Sequence, residues 1–245
     1  MIWRKKITLK KTHDFCGVKK PKLTVVLIHG IASDSSAYNN ALQYLERTVA
    51  LRDVRFVTFD LLGSGKSLKD NKLNYDYKDQ VEALHNAISK SKIKTPLVLV
   101  GHSLGTFIVT KYASIYKKAV NKLVLISPPI YTTKDLTSPA FMARVEAFKD
   151  VVSLKNRKIL DEKSFHNSMD KIVLNKNNYK TLATLKTPTV LIYGNADQLI
   201  APYNVSKIIK DNPKYITAIK TLGRHGVSRD KYNKIRMVLE ETLHA

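Results

Sequence analysis

The chain has 245 residues, of which 44% are hydrophobic and 25% charged, as is usual for a folded globular domain. No apolar run approaches the ~20 residues of a membrane-spanning helix, and the single cysteine, Cys16, excludes an internal disulfide. Residues 1–11 carry charges without a following apolar segment, so the sequence predicts no secretory signal and a cytoplasmic location.

The charge balance is unusual, because the chain has 42 Lys and Arg residues and only 20 Asp and Glu residues, for a net charge of +22. A surface of this kind attracts anions such as acidic lipids and nucleic acids. The basic residues are spread along the whole chain and include no arginine-rich tract. We therefore expect a solvated, lysine-coated surface, with weak attraction to anionic surfaces and no specific nucleic-acid site.

Apolar runs and helical periodicity alternate along the chain. Strands are predicted at residues 23–30, 54–60, 95–103, 120–129, 187–197 and 215–223. Helices are predicted at residues 35–50, with a serine as cap, and at 76–91, 104–119, 203–212 and 228–244. Continuously apolar strands that alternate with helices predict an α/β fold, in which a mostly parallel central sheet has helices on both faces.

This alternation is interrupted between residues 130 and 186, where two helical patterns occur at 139–154 and 164–174. The sequence thus predicts a core made of residues 1–129 and 187–245, and a small helical cap inserted at 130–186. Ligands of open α/β folds bind at the carboxyl edge of the sheet, which is where we expect the cap to lie.

The segment GHSLG at residues 101–105 is a Gly-x-Ser-x-Gly pattern between a predicted strand and a predicted helix. Such a serine sits on a sharp, strained turn, and larger residues at the glycine positions would collide with neighbouring elements. The following helix directs its free N–H groups toward a developing oxyanion. Ser103 is therefore the candidate nucleophile, and the alternative is a purely structural turn.

A nucleophilic serine needs a general base and a group that orients the base. Of the seven histidines, His225 lies in the loop after the last strand, at the same edge as Ser103, whereas His29 and His102 adjoin turn glycines and are expected to support loops. Asp197 follows the preceding strand and lies too far from the next helix to be its N-cap. The order Ser103, Asp197, His225 is the one expected for this triad arrangement.

These motifs resemble those of the α/β-hydrolase family, in particular its cap-bearing esterases, lipases and carbon–carbon bond hydrolases. The resemblance runs from residue 25 to the last helix, with Thr106 standing where many members have a further glycine. It implies the α/β-hydrolase fold and an oxyanion hole formed by the backbone N–H groups of Ile31 and Leu104. It also implies hydrolysis of a small-molecule or lipid-like carboxylic ester without cofactor or metal.

Three alternatives stay open at this point. A carbon–carbon bond hydrolase or a cofactor-free perhydrolase would use the same triad, and a non-catalytic ligand-binding protein could use the same scaffold. A nucleotide-dependent enzyme is suggested by GSGKS at residues 63–67, which resembles the end of a phosphate-binding loop. The first glycine of that motif is replaced by Asp60, and FDLLGSGKS resembles the turn after the second parallel strand of α/β-hydrolases, so the nucleotide hypothesis is disfavoured.

Candidate substrate contacts come from the predicted cap and from the histidine loop. Phe141, Met142, Phe148 and Met169 indicate a mostly apolar pocket, although helical spacing also fits a packing role. Arg224 adjoins His225 and could favour an anionic substrate, or it could be solvated.

Overall fold

The computed structural model describes residues 6–156 and 161–244; residues 1–5 and 245, and residues 157–160 of the predicted insertion, lie outside them. The described residues form one sheet with seven strands, which are β1 (Lys10–Cys16), β2 (Leu23–Ile28), β3 (Val54–Asp60), β4 (Leu97–His102), β5 (Lys122–Ile126), β6 (Thr189–Gly194) and β7 (Ile216–Thr221). Their order across the sheet is β1-β3-β2-β4-β5-β6-β7. All neighbouring strands are parallel except β1 and β3, so the predicted α/β fold class is confirmed.

The central strands form because their sequences are mostly apolar. All six residues of β2 (LTVVLI) are buried, as expected for a parallel strand that is covered on both faces. Strand β1 (KKTHDFC) was not predicted, because it is an edge strand with no buried residue and therefore lacks an apolar run. It pairs with β3 through a register shift between Lys11 and His13, an irregularity common at sheet edges.

Helices cover both faces of this sheet. Those of the described residues are α1 (Asn39–Glu46), α2 (Tyr77–Lys90), α3 (Leu104–Ile115), α4 (Thr133–Leu136), α5 (Pro139–Asn156), α6 (Glu162–Ser168), α7 (Asn178–Ala183), α8 (Pro202–Asp211) and α9 (Arg229–His244). One buried cluster joins α2, α3 and α8 to the sheet, and a second joins α1 and α9 to the opposite face. Over the part of the chain described, no helix combines the length and apolarity needed to cross a bilayer.

The predicted helix at residues 35–50 is divided in the structure. A 3-10 turn (Ser35–Tyr38) precedes α1, and a second 3-10 turn (Val49–Leu51) follows it. The cap is the carboxylate of Asp34, which accepts a hydrogen bond from the Ser36 N–H, so the predicted serine cap is wrong. Aspartate and serine are similarly effective as N-caps, and the sequence alone does not decide between adjacent candidates.

The segment between β5 and β6 contains α4, α5, α6 and α7, of which the sequence predicted α5 and a single helix at 164–174. That second helix is α6 continued by a π-helical turn, Met169–Val173, and the short helices α4 and α7 were not predicted. Helix α4 has a capping box in which Thr132 and Asp135 exchange hydrogen bonds. Four to six residues show too little periodicity to be recognised as a helix in a sequence.

Candidate active site

Four loops that follow parallel strands meet at the carboxyl edge of the sheet. Ile31 follows β2 and Ser103 follows β4, and these two strands are neighbours. Strand β3 lies on one side of β2 and strand β4 on the other, so the strand order reverses between β2 and β4. Open α/β folds bind their ligands at such a point. Asp197 follows β6 and His225 follows β7, so the structure brings all four predicted positions to one edge.

Ser103 occupies the sharp turn between β4 and α3. Its backbone has φ 50° and ψ −116°, a conformation that non-glycine residues rarely adopt. The turn is held by a hydrogen bond of 3.0 Å from the Ser103 N–H to the carbonyl of Ile126. The hydroxyl of Thr106, at the position where the sequence departs from many family members, donates to the carbonyl of Ser103. Buried neighbours thus maintain the strained geometry.

The partly exposed His225 and the buried Asp197 form a pair beside this turn. Nδ1 of His225 lies 2.9 and 3.0 Å from the two carboxylate oxygens of Asp197, and the Asp197 side chain is fully buried. Burial raises the pKa of Asp197, but hydrogen bonds and the charge of His225 outweigh it, and the net pKa is lowered. Asp197 is therefore ionised at neutral pH, and its carboxylate accepts the hydrogen bond when Nδ1 of His225 carries a proton.

Nε2 of His225 is buried and has no hydrogen-bond partner among residues 6–156 and 161–244. The His225 ring lies 5.2 Å, centre to centre, from the ring of His102, the residue before Ser103. No hydrogen bond joins Nε2 to the Ser103 hydroxyl within the described part of the chain; such bonds often tighten only in the substrate complex. When Nδ1 carries the proton, Nε2 is an acceptor, as a general base requires.

The backbone N–H groups of Ile31 and Leu104 donate no hydrogen bond to any described residue. Leu104 is the first residue of α3, whose N-terminal partial charge favours an anion at this place. His29 fixes the segment before Ile31: its Nε2 accepts from the Leu61 N–H at 2.9 Å, and its Nδ1–H donates to the carbonyl of Gly30 at 2.7 Å. Burial lowers the pKa of His29, so the ring stays neutral in this role.

A cavity of about 270 Å³ opens over Ser103 and is lined mainly by apolar side chains of the segment between β5 and β6. The lining includes Ile31, Ser103, Pro129, Tyr131, Phe141, Val145, Phe148, Met169, Val173, Leu174, Leu199 and Ile200. Of the predicted contacts, Phe141, Phe148 and Met169 line this cavity, and Met142 does not. A volume near 300 Å³ is at the small end of ligand pockets.

The charged groups at the cavity are not those that the sequence suggested. Arg224 is exposed and lies outside the lining, and the cavity is instead bordered by Arg144 of α5. Asp135 also borders it, but its carboxylate accepts hydrogen bonds from Thr132 and Asn204. The guanidinium of Arg144 forms no ion pair with any described residue. Sequence adjacency to His225 suggested Arg224, whereas the helix that crosses the cavity supplies Arg144.

The GSGKS turn at residues 63–67 encloses a carboxylate of its own chain. Asp60 is buried, and its two oxygens accept from the N–H groups of Ser35 at 2.9 Å and Lys66 at 2.8 Å. The hydroxyl of Ser67 donates to the carbonyl of Asp60. Residues 68–76 are not helical, whereas a phosphate-binding loop leads directly into a helix. The turn therefore supports the end of β3 and the loop after β2.

A mostly parallel sheet with a Gly-x-Ser-x-Gly turn between a central strand and a helix is the architecture of α/β hydrolases. A family model described as alpha/beta hydrolase fold matches residues 24–158, which is more than half of the chain. This chain belongs to the α/β hydrolase fold family.

Several relatives with ester-hydrolase names are similar in sequence. The Probable lysophospholipase BODYGUARD 2 of Arabidopsis thaliana is 35% identical over 135 residues, which are 54% of this chain and 28% of that protein. The match thus spans less than a third of that relative's length. The pimeloyl-acyl-carrier-protein methyl ester esterase of Wigglesworthia glossinidia brevipalpis is 27% identical over 222 residues, which are 77% of this chain and 80% of that protein.

Solved structures share the fold at low sequence identity. An esterase from Exiguobacterium antarcticum superposes with a TM-score of 0.72 at 17% identity, over 98% of each chain. At this identity the likeness shows the fold, which agrees with the sheet order described above.

Proposed function

We propose that this protein is a serine hydrolase that cleaves carboxylic esters, with Ser103 as nucleophile, His225 as general base and Asp197 as the group that orients the base. The proposal is carried by one observation: Ser103 lines a mostly apolar cavity on a strained turn, beside a His225 side chain that pairs with the buried Asp197. Membership of the α/β hydrolase fold family and the esterase and lipase names of relatives support it.

In this mechanism the Ser103 oxygen attacks the acyl carbon while Nε2 of His225 takes its proton. The oxyanion that forms is stabilised by the N–H groups of Ile31 and Leu104, each worth roughly 3–4 kcal/mol in acyl transfer. His225 then returns the proton to the leaving alcohol, and a water molecule releases the acyl group by the reverse sequence. Asp197 stays ionised throughout and stabilises the imidazolium.

The substrate is a small or lipid-like ester, and its apolar part occupies the cavity formed with the inserted segment 130–186. We assign this segment as a cap, because α5 and the turn after α6 supply Phe148 and Met169 to the lining. With so many aliphatic and aromatic side chains around Ser103, burial of apolar surface contributes most of the binding free energy.

Hydrolysis of p-nitrophenyl esters with acyl chains of two to twelve carbons tests the proposal, with native protein compared with Ser103→Ala. We expect the substitution to lower kcat on the order of 10⁶-fold. A fluorophosphonate probe followed by intact-mass measurement should add one phosphonyl group to native protein and none to Ser103→Ala. A native protein that neither turns over any ester nor reacts with the probe would refute the assignment of Ser103 as an activated nucleophile.

A further inference from the structure

Lys231 of α9 is a lysine whose side chain is fully buried, with 0% of its surface exposed. Its Nζ donates to the carbonyl oxygens of three successive residues, Arg224, His225 and Gly226, the last two at 3.1 and 2.9 Å. These residues form the loop that carries the His225 imidazole. The loop is therefore folded around one ammonium group.

A second set of contacts leads from Lys231 to Asp197. Nζ of Lys231 donates to the hydroxyl oxygen of Ser127 at 2.6 Å, and Ser127 is itself buried with φ 49°. Burial raises the pKa of Asp197, and the Ser127 side chain is among the groups that lower it again. Lys231 thus holds the backbone of His225 directly and fixes the Ser127 side chain, which helps to lower the pKa of Asp197.

The backbone of His225 is also held from the other side. Nε2–H of His102 donates to the carbonyl of His225 at 2.9 Å, and burial lowers the pKa of His102 to about 3, so that ring is neutral. One carbonyl therefore receives hydrogen bonds from both Lys231 and His102. A loop fixed at this point sets the position of the imidazole relative to Ser103.

The three carbonyl oxygens around Nζ favour the ammonium form of Lys231. An ammonium has three donors and no lone pair, whereas a neutral amine would direct its lone pair toward one of these oxygens. Burial lowers the pKa of Lys231, and the charges of Asp197 and Asp230 oppose that effect. Burying a charge is costly, and the hydrogen bonds from Nζ to these three oxygens and to the Ser127 hydroxyl offset part of that cost.

We propose that Lys231 is a positioning residue for the hydrolase reaction, and that it fixes the loop that carries His225. This inference rests on the function proposed above, but it makes a separate claim about how the general base is held. The titratable groups around the ammonium are Asp197, His102, His225 and Asp230.

The test compares Lys231→Met with Lys234→Met, a matched change on α9 at a lysine whose Nζ contacts only Met237 among the described residues. We expect Lys231→Met to lower kcat about 10²-fold, with KM within threefold of native, because a misplacement near 1 Å costs a factor of this size. Removing a positive charge near the imidazole should also move the acid limb of the kcat/KM profile up by roughly one pH unit. Lys234→Met should change neither.

A readout without turnover separates this inference from the proposed function. In ¹⁵N-histidine-labelled native protein, the His225 Nδ1 proton should be observed far downfield and protected from exchange. We expect this signal to broaden or disappear in Lys231→Met and to persist in Ser103→Ala. An unchanged signal in Lys231→Met would overturn the inference even if every ester proved to be a poor substrate.

Thermal unfolding monitors whether Lys231→Met is folded at the assay temperature. If it is not, Ser127→Ala decides, because it retains the lysine and removes one of the four oxygens that hold its ammonium group in place. A loss of kcat of about tenfold, together with a shifted pH profile, supports the inference. The inference is overturned if folded Lys231→Met has either native kinetics or a native His225 signal. If the lysine variant does not fold, the same results in Ser127→Ala overturn it.

Discussion

Gly101 is the position where a single methyl group most directly tests the geometry around Ser103. A Cβ at this residue would lie 2.6 Å from the carbonyl carbon and oxygen of Gly105 and 2.7 Å from the N atom of Thr106. These are backbone atoms of the first turn of α3, so no side chain can rotate away. Gly101→Ala therefore forces β4 and the start of α3 apart.

The required displacement follows from these distances. The helix must move by about 0.4 Å to bring the closest atoms to 3.0 Å, and by about 0.8 Å to reach an ordinary contact at 3.4 Å. Overpacking of this kind costs about 1–3 kcal/mol. For a protein of this length, a loss of 2 kcal/mol lowers Tm by roughly 4–8 °C. The same movement carries the Leu104 N–H and Ser103, and a shift approaching 1 Å lowers kcat/KM by roughly 10–100-fold.

Differential scanning calorimetry and ester hydrolysis measure the two effects on the same preparation. Ser114→Ala is the matched control, because Ser114 lies at the far end of α3 and its hydroxyl bonds only the carbonyl of Lys111 among the described residues. We expect the control to retain native kcat/KM. If Gly101→Ala kept native Tm to within a degree and native kcat/KM to within twofold, the close contact between β4 and α3 would not limit the reaction.

Two further predictions concern the cavity. Phe148→Ala should move the preferred acyl chain to longer esters, because each additional buried methylene contributes about 0.8 kcal/mol, or about fourfold in kcat/KM. Val151→Ala, an exposed change on the same helix, should leave the chain-length profile as it is. An unshifted profile in Phe148→Ala would contradict the lining described. Arg144→Ala should lower kcat/KM for esters that carry a carboxylate by up to about fivefold relative to neutral esters, which is the range of an exposed ion pair. Arg224→Ala, the control, should affect both ester types equally, and the opposite ranking of the two arginines would show that Arg224 faces the substrate.

The parts of the fold that the sequence predicted are those where one physical effect dominates. Strand β3 was predicted with its observed bounds, because six of its seven residues are buried and most of them are apolar. The helix predicted at residues 76–91 is observed as α2, and the structure adds that Asp76 is its N-cap, whose carboxylate accepts from two N–H groups of the first turn. Strand β1 is half-exposed and forms by pairing with β3. This pairing cannot be predicted from the residues of β1, because they show no apolar pattern.

The candidate site likewise has residues that the sequence predicted and residues that only the structure shows. Ser103, Asp197 and His225 were selected because each follows a predicted strand, and parallel strands end at one edge. Lys231 carried no such signal, since it lies in a polar helical stretch and its role depends on carbonyl groups that only the folded loop brings together. The roles proposed for all four residues stay predictions until the variants above are measured.

The turn around Asp60 has a consequence for how short motifs are interpreted. The backbone N–H groups of Lys66, in the turn, and of Ser35, in the loop after β2, donate to the Asp60 carboxylate. The likeness to a phosphate-binding loop therefore reflects shared backbone chemistry. The anion, however, is a tethered ligand, and a tethered partner acts at an effective concentration far above that of any free competitor. A nucleotide would have to displace a carboxylate that cannot diffuse away. In the folded chain, the anion-binding groups of this turn are therefore already occupied by the Asp60 carboxylate.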